Sequence, residues 1–199
     1  MRSLLIATTN SGKIREIRPL LDGLPYRLVT LADLRVLAAP EETGRTFAEN
    51  ARAKALYYAQ VLGTLTVAED SGLEIDALDG LPGVESARYG GEGASYPERF
   101  ALLYEALHRK GAAPGVARFV CALAVARGPR VLFETTGTIE GRIAAEPKGQ
   151  GGFGYDPIFY YPPLGVTLAE AGARKSVVSH RGRAFRALRT YLDSRAVEA

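Results

Sequence analysis

Two long β-prone runs in the middle of the chain constrain the fold most strongly. Residues 116–127 and 131–139 are rich in apolar and β-branched side chains, and only Gly128-Pro129-Arg130 separates them. Such runs on either side of a short connection with Gly and Pro predict a long antiparallel hairpin. The fold must therefore contain an antiparallel sheet.

The first part of the chain follows a different pattern, in which short apolar runs alternate with helical periodicity. A strand is predicted at 4–8, and apolar residues at 14, 17, 20 and 21 then indicate a helix. Further strands are predicted at 26–30 and 65–70, and further helices at 46–61, at 96–108 and from about residue 179. Residues 95–98, Ser-Tyr-Pro-Glu, have the spacing of a capping box at the start of the 96–108 helix. Together these elements predict the α/β class, with a mixed twisted central sheet, flanking helices and two lobes around a cleft.

Composition limits the function classes. A chain of 199 residues with 47% hydrophobic content is expected to form one domain over 1–199. Its net charge of +3 comes from 25 basic and 22 acidic residues that are interleaved, which favours a small polyanion over nucleic acid as partner. The single Cys121 and the lack of an apolar run of roughly 18 residues predict a cytoplasmic protein without a membrane partner.

A polar turn after the first strand is the first candidate site. It comprises Thr8, Thr9, Asn10, Ser11, Gly12 and Lys13. Free backbone N–H groups at a helix start favour anions, so this turn can bind phosphate. It is not a Walker A loop, because that motif needs an earlier glycine and a Ser or Thr after the lysine. A capped helix with an exposed lysine is the alternative.

Acidic residues form the second candidate site. Glu41 and Glu42 are predicted in a loop, whereas Glu69 and Asp70 end a predicted strand and precede Ser71. Carboxylate oxygens suit Mg²⁺, with Mn²⁺ as a substitute, and a carboxylate beside the metal can take a proton from water. Loop glutamates are usually only solvated, but a carboxylate on an apolar strand is costly unless it is paired. Asp70 is therefore the stronger candidate.

A glycine-rich turn, residues 151–157, has the composition of a site for a planar base. Phe153 offers a stacking face, Asp156 offers an acceptor, and Gly154 with its neighbouring glycines lets a ligand approach the backbone; Tyr155 lies between them.

Basic residues near the C-terminus can supply further contacts. Lys175 and Arg181 can bind phosphate or oxygen atoms, and His180 with Arg181 can donate to a base edge. A surface basic patch is the alternative.

Taken in order, these segments resemble the inosine triphosphate pyrophosphatase family. The matching stretches are 7–13, 41–44 with 47–51, 69–73, 81–84 with 86–89, 151–159, and 175–176 with 179–182. The family usually has two aspartates where this chain has Glu69-Asp70, which leaves Asp70 in place but makes a metal role for Glu69 doubtful.

The resemblance implies a function and a role for each segment. The family hydrolyses ITP, dITP and XTP to the monophosphate and pyrophosphate by water attack on the α-phosphorus, which keeps these nucleotides out of DNA and RNA. Asp70 would be the general base and, with Glu41, a metal ligand; residues 8–13 would bind the triphosphate, with Lys13 and Lys175 neutralising charge. Ser71 would contact substrate, and residues 153–156, His180 and Arg181 would hold the base. A homodimer is also implied.

Two other functions fit parts of the pattern. A phosphatase or P-loop-like NTPase that releases orthophosphate would use the same metal and phosphate loop. A binding module without catalysis would explain the aromatic and basic residues but would leave Asp70 unexplained.

Overall fold

The computed structural model describes residues 2–34, 40–112 and 115–196. The strands are β1 (Arg2–Ile6), β2 (Tyr26–Thr30), β3 (Leu65–Ile75), β4 (Val116–Arg127), β5 (Arg130–Ile143), β6 (Phe159–Tyr161) and β7 (Val166–Thr167). The α-helices are α1 (Ser11–Leu21), α2 (Phe47–Leu62), α3 (Tyr96–Arg109), α4 (Arg174–Val178) and α5 (His180–Ala196).

The seven strands form one mixed sheet, which confirms the predicted α/β class with flanking helices. The strand order is β2-β1-β3-β4-β5-β6-β7. β1 pairs in parallel with β2 and β3, whereas β5, β6 and β7 pair antiparallel. Ile6 of β1 is in register with Val67 of β3. Because these two strands run in parallel, the turn after β1 lies beside the residues of β3 that follow Val67, up to Asp70.

The chain divides into two compact units. The first unit comprises 1–70, 121–137 and 180–199, and the second comprises 71–120 and 138–179. Strands β3, β4 and β5 each contribute residues to both units.

The first unit has its own apolar core, made by one side of α1 and α5 and by buried residues of β1, β3 and β4. Ile17 and Leu21 of α1 and Phe185 and Leu188 of α5 are almost completely buried in it. Side-chain caps fix where its helices begin: Thr46 accepts a hydrogen bond from the backbone N–H three residues later, at the start of α2.

The second unit has a separate core rich in aromatic side chains. Phe100, Leu103 and Leu107 lie on the buried side of α3, at helical spacing. The predicted capping box at the start of α3 is confirmed, with Ser95 and Glu98 bonding reciprocally. No helix in the described ranges combines the length and the apolar character that crossing a membrane requires.

Three predicted element boundaries were wrong. β3 continues to Ile75 instead of ending at Asp70. Leu73 and Ile75 are buried in the core of the second unit, and Asp70 accepts a hydrogen bond from the Asn50 side chain. β1 ends at Ile6 instead of residue 8, and β5 extends to Ile143. The short elements α4, β6 and β7 were not predicted, since two to five residues carry too little periodicity.

Candidate active site

The turn between β1 and α1 is held in shape by its own side chains. The Thr8 hydroxyl accepts a hydrogen bond from the Asn10 backbone N–H at 3.2 Å, and the Asn10 side chain accepts one from the Lys13 N–H at 3.1 Å. Residues 9–11 are exposed, whereas Gly12 is buried. This arrangement presents the N-terminus of an 11-residue helix to solvent, where its dipole favours an anion.

Glu69 on β3 links this turn to the start of α5. Its Oε1 atom lies 3.1 Å from Lys13 Nζ and 3.2 Å from Arg181 Nη2. Arg181 also donates to Glu16 on α1, at 2.6 Å between Nη1 and Oε2. Burial lowers the pKa of Arg181, but the negative charges, chiefly that of Glu69, outweigh it and raise the pKa. The guanidinium therefore stays charged although it is buried.

The first residues of α5 are placed by a close approach of β5. A Cβ atom added at Gly137 would lie 2.2 Å from the His180 carbonyl oxygen and 2.7 Å from the Ala184 nitrogen. Only glycine at this position lets the strand approach the helix backbone so closely. His180 and Arg181 are both buried.

Asp70 is a buried carboxylate that accepts a hydrogen bond from Asn50. The Asn50 side-chain nitrogen donates to Asp70 Oδ2 at 3.0 Å, and Asn50 Oδ1 in turn accepts from the Gly44 N–H at 2.8 Å. Burial raises the pKa of Asp70, while the Asn50 hydrogen bond and the charges of Lys13 and Lys54 lower it; burial is the larger effect. The carboxylate is therefore a stronger base than an exposed aspartate.

The two predicted loop glutamates differ in their surroundings. Glu41 is exposed, whereas Glu42 forms an ion pair with Lys54. The charge of Glu42 also contributes to raising the pKa of Asp70. Within residues 2–34, 40–112 and 115–196, no three His, Cys, Asp or Glu side chains are grouped closely enough to hold a metal by themselves.

In the second unit, the glycine-rich turn is closed by Asp156. Its Oδ2 atom accepts from the Phe153 backbone N–H at 2.7 Å and forms an ion pair with Lys175. The Lys175 ammonium lies 5.0 Å from the centre of the Phe153 ring. Gly152 has φ of +71°, and a Cβ there would lie 2.0 Å from Asp156 Oδ2, so this turn requires glycine.

Tyr155 anchors the same turn to the core of the second unit. Its ring is buried and meets Tyr96 edge-on, with 5.3 Å between ring centres. Its hydroxyl donates to the Ser86 carbonyl oxygen at 2.8 Å, and burial raises its pKa. Tyr155 therefore orients the turn that carries Phe153. The Phe153 side chain is half-buried.

Comparison with known proteins decides the family. The Ham1 family model matches residues 4–191. The chain belongs to the Ham1 family.

The similarity of this Ham1 chain to its relatives covers nearly its whole length. It is 43% identical over 199 residues to a protein named dITP/XTP pyrophosphatase from Geobacter sulfurreducens, with full coverage of both chains. It is 47% identical over 186 residues to a protein of the same name from Thermus thermophilus, covering 93% of this chain and 89% of that one. The predicted resemblance is therefore confirmed.

Solved Ham1 structures have the same fold. A HAM1 protein from Coxiella burnetii superimposes with a TM-score of 0.90 at 40% identity, covering 98% of this chain and all of the other. The Staphylococcus aureus Ham1 protein gives a TM-score of 0.87 at 36% identity, covering 98% of this chain and all of the other.

The candidate residues of this Ham1 chain fall into the two units as follows. The first unit contains residues 8–13, Glu41, Asp70, His180 and Arg181. The second contains Ser71, which is half-buried, with residues 153–156 and Lys175.

The sequence had not assigned a role to three residues of the first unit that contact the candidate site. Asn50 and Lys54 lie one helical turn apart on α2, and this i,i+4 spacing signals that both face β3. Glu16 lies three residues after Lys13 on α1, but such spacing is common on solvent-facing helix surfaces.

Proposed function

We propose that this chain hydrolyses the nonstandard purine nucleotides ITP, dITP and XTP to the nucleoside monophosphate and pyrophosphate. The names of its relatives support this substrate class. The single observation that carries the proposal is Asp70, a buried carboxylate with raised pKa in the same unit as a helix N-terminus suited to phosphate. Removing such nucleotides from the pool would keep them out of DNA and RNA.

The proposed chemistry assigns Asp70 as the general base. Its carboxylate takes a proton from the water that attacks the α-phosphorus, while pyrophosphate leaves. The hydrogen bond from Asn50 orients the carboxylate. Since burial already raises the pKa of Asp70, the group accepts a proton more readily than an exposed aspartate at the same pH.

The triphosphate is assigned to the turn of residues 8–13. Exposed backbone N–H groups and hydroxyls of this turn bind phosphate oxygens, and Lys13 supplies a positive charge. In the second unit, Lys175 is a further cation for the developing charge, and Ser71 is a substrate contact.

Mg²⁺, or Mn²⁺ in its place, is the proposed cofactor, held by Asp70 and Glu41. The donor set fits, because both ligands offer hard carboxylate oxygens and phosphate oxygens of the substrate would complete the coordination. When bound, the metal would neutralise negative charge on the phosphates. Asp70 retains its interaction with Asn50 in this assignment.

Base recognition is assigned to Phe153, Gly154, Tyr155 and Asp156 together with His180 and Arg181. The Phe153 ring stacks on the base, and Tyr155 and Asp156 hold the turn that presents it. Hypoxanthine and xanthine carry a carbonyl at position 6 where adenine carries an amino group. Donors fixed by buried ion pairs, such as Arg181, can donate to the carbonyl oxygen, whereas the amino group of adenine offers them no acceptor.

The remaining assignments concern the whole protein. We propose a single pyrophosphatase domain over 1–199 that acts in the cytoplasm as a homodimer. Its partner is the small-molecule nucleoside triphosphate, with no nucleic acid or membrane partner.

Product analysis tests this function. Purified protein is incubated with Mg²⁺ and separately with dITP, XTP, ITP, dATP and dGTP, and pyrophosphate, orthophosphate and nucleotide products are resolved. Monophosphate and pyrophosphate are expected, with dITP, ITP and XTP preferred; EDTA should stop turnover and Mg²⁺ should restore it. Diphosphate with orthophosphate would place this chain among phosphatases, and binding without turnover would make it a binding module.

A further inference from the structure

One buried carboxylate oxygen in the first unit serves two cations from distant parts of the sequence. Glu69 Oε1 lies 3.1 Å from Lys13 Nζ and within 3.3 Å of both Arg181 Nε and Arg181 Nη2. The Glu69 and Arg181 side chains are each only 2% exposed, and that of Lys13 is 17% exposed. Lys13 belongs to α1 and Arg181 to α5, so Glu69 on β3 joins two helices.

We infer that Glu69 is a positioning residue that fixes Lys13 and Arg181 together, so that phosphate binding and base selection depend on the same carboxylate. The inference rests on the proposed function, in which Lys13 meets the phosphates and Arg181 meets the base. Glu69 itself is not assigned a contact with substrate or metal.

The charges of this cluster explain why the carboxylate is needed. Lys13 and Arg181 contribute two positive charges, and Glu69 and Glu16 contribute two negative charges. Without the charge of Glu69, Lys13 and Arg181 would lose the negative group that lies at ion-pair distance from both of them, although Glu16 would still contact Arg181. Like charges at low solvent exposure repel strongly, so Lys13 and Arg181 would move apart.

The other oxygen of Glu69 is held as well. Oε2 lies 3.5 Å from the Sγ atom of buried Cys121. Burial and the negative charge of Glu69 raise the pKa of Cys121, so the thiol remains protonated and can donate weakly to the carboxylate. Both oxygens are thus engaged within the first unit, which limits the rotation of the side chain and makes it a fixed reference point for the two cations.

The test compares Glu69→Gln, Glu69→Asp and Glu134→Gln. Glu134 forms an exposed ion pair with Arg52, so its variant is a matched control for loss of a carboxylate. For each protein, kcat/KM is measured for dITP and dATP, and activity is titrated with Mg²⁺. Thermal melting establishes that each variant is folded.

Glu69→Gln is expected to lower kcat/KM for dITP by about ten- to a hundredfold, because Lys13 and Arg181 both lose a charged partner. The ratio of kcat/KM for dITP to that for dATP should fall by about tenfold. Glu69→Asp keeps the charge but retracts it by one methylene, so a loss of about threefold in the ratio is expected. The Mg²⁺ concentration for half-maximal activity should stay unchanged in both. Glu134→Gln should match the wild type in every measurement.

The following results would overturn the inference. An unchanged dITP-to-dATP ratio in Glu69→Gln would show that Glu69 does not position Arg181. A higher Mg²⁺ requirement with an unchanged ratio would make Glu69 a metal ligand. If Glu69→Gln does not fold, the Glu69→Asp variant decides, and an unchanged ratio there would refute the positioning role. A wild-type protein that releases no pyrophosphate would instead reject the proposed function, and the positioning role with it.

Discussion

Replacing Asp70 by Asn should stop catalysis and at the same time stabilise the fold. The amide has nearly the same volume and keeps an oxygen that can accept from Asn50, so the main change is loss of the charge and of the proton-accepting group. Loss of a general base lowers turnover by about 10²–10⁴-fold. Nucleotide binding should be largely retained.

The gain in stability follows from the raised pKa of Asp70. In the folded protein this carboxyl binds its proton more tightly than in the unfolded chain, where its pKa is close to 3.8. Folding stability therefore falls as pH rises from the unfolded pKa to the folded pKa, and the deficit persists at neutral pH. Stabilising substitutions commonly add about 0.5–2 kcal/mol to the free energy of unfolding, and a gain in this range is expected. For a chain of this length, each kcal/mol corresponds to about 2–4 °C in Tm.

The assay combines thermal melting at several pH values with pyrophosphate release. The Tm of Asp70→Asn should exceed that of the wild type at pH 7, and the difference should vanish below the unfolded pKa of Asp70. Asp193→Asn, at an exposed carboxylate near Arg189, is the control and should change neither Tm nor activity appreciably. Near-normal turnover of Asp70→Asn would refute the base assignment, and a lower Tm at pH 7 would refute the argument from burial.

Three further changes test the surroundings of the site. Asn50→Ala removes the hydrogen bond that lowers the pKa of Asp70, so the acid limb of the pH profile of kcat/KM should move to higher pH. An acid limb at the same pH would contradict the assignment of Asp70 as the general base. Gly152→Ala places a methyl group against Asp156 and should raise KM for dITP at least about tenfold, in steady-state kinetics; an unchanged KM would show that the turn tolerates a side chain. Phe153→Ala should weaken nucleotide binding by about 1–3 kcal/mol in calorimetry, and unchanged affinity would exclude base stacking.

The sequence predicted the larger elements because their signals are local. The hairpin of β4 and β5, the strand β2 and the cap of α3 all depend on residues close together in the chain. The predicted end of β3 at residue 70 was wrong, because an acidic residue followed by Ser and Gly usually signals a turn. Burial of Leu73 on the sheet and the hydrogen bond from Asn50 to Asp70 outweigh that signal.

The candidate site was predictable as a set of residue types but not as a set of contacts. Asp70 stood out because a carboxylate in an apolar strand needs a partner. Lys13 and Arg181, which both contact Glu69, lie 56 residues before it and 112 residues after it in the sequence, so no local pattern connects them. The role of Asp156 in closing its own turn also depends on backbone geometry, which the glycine content alone does not specify.

Hydrolysis in ¹⁸O-labelled water tests the central claim most directly. With dITP and Mg²⁺, attack at the α-phosphorus predicts that the label enters the deoxyinosine monophosphate while pyrophosphate stays unlabelled. Label in pyrophosphate or orthophosphate would place the attack at another phosphorus, and would contradict the pyrophosphatase mechanism proposed for Asp70.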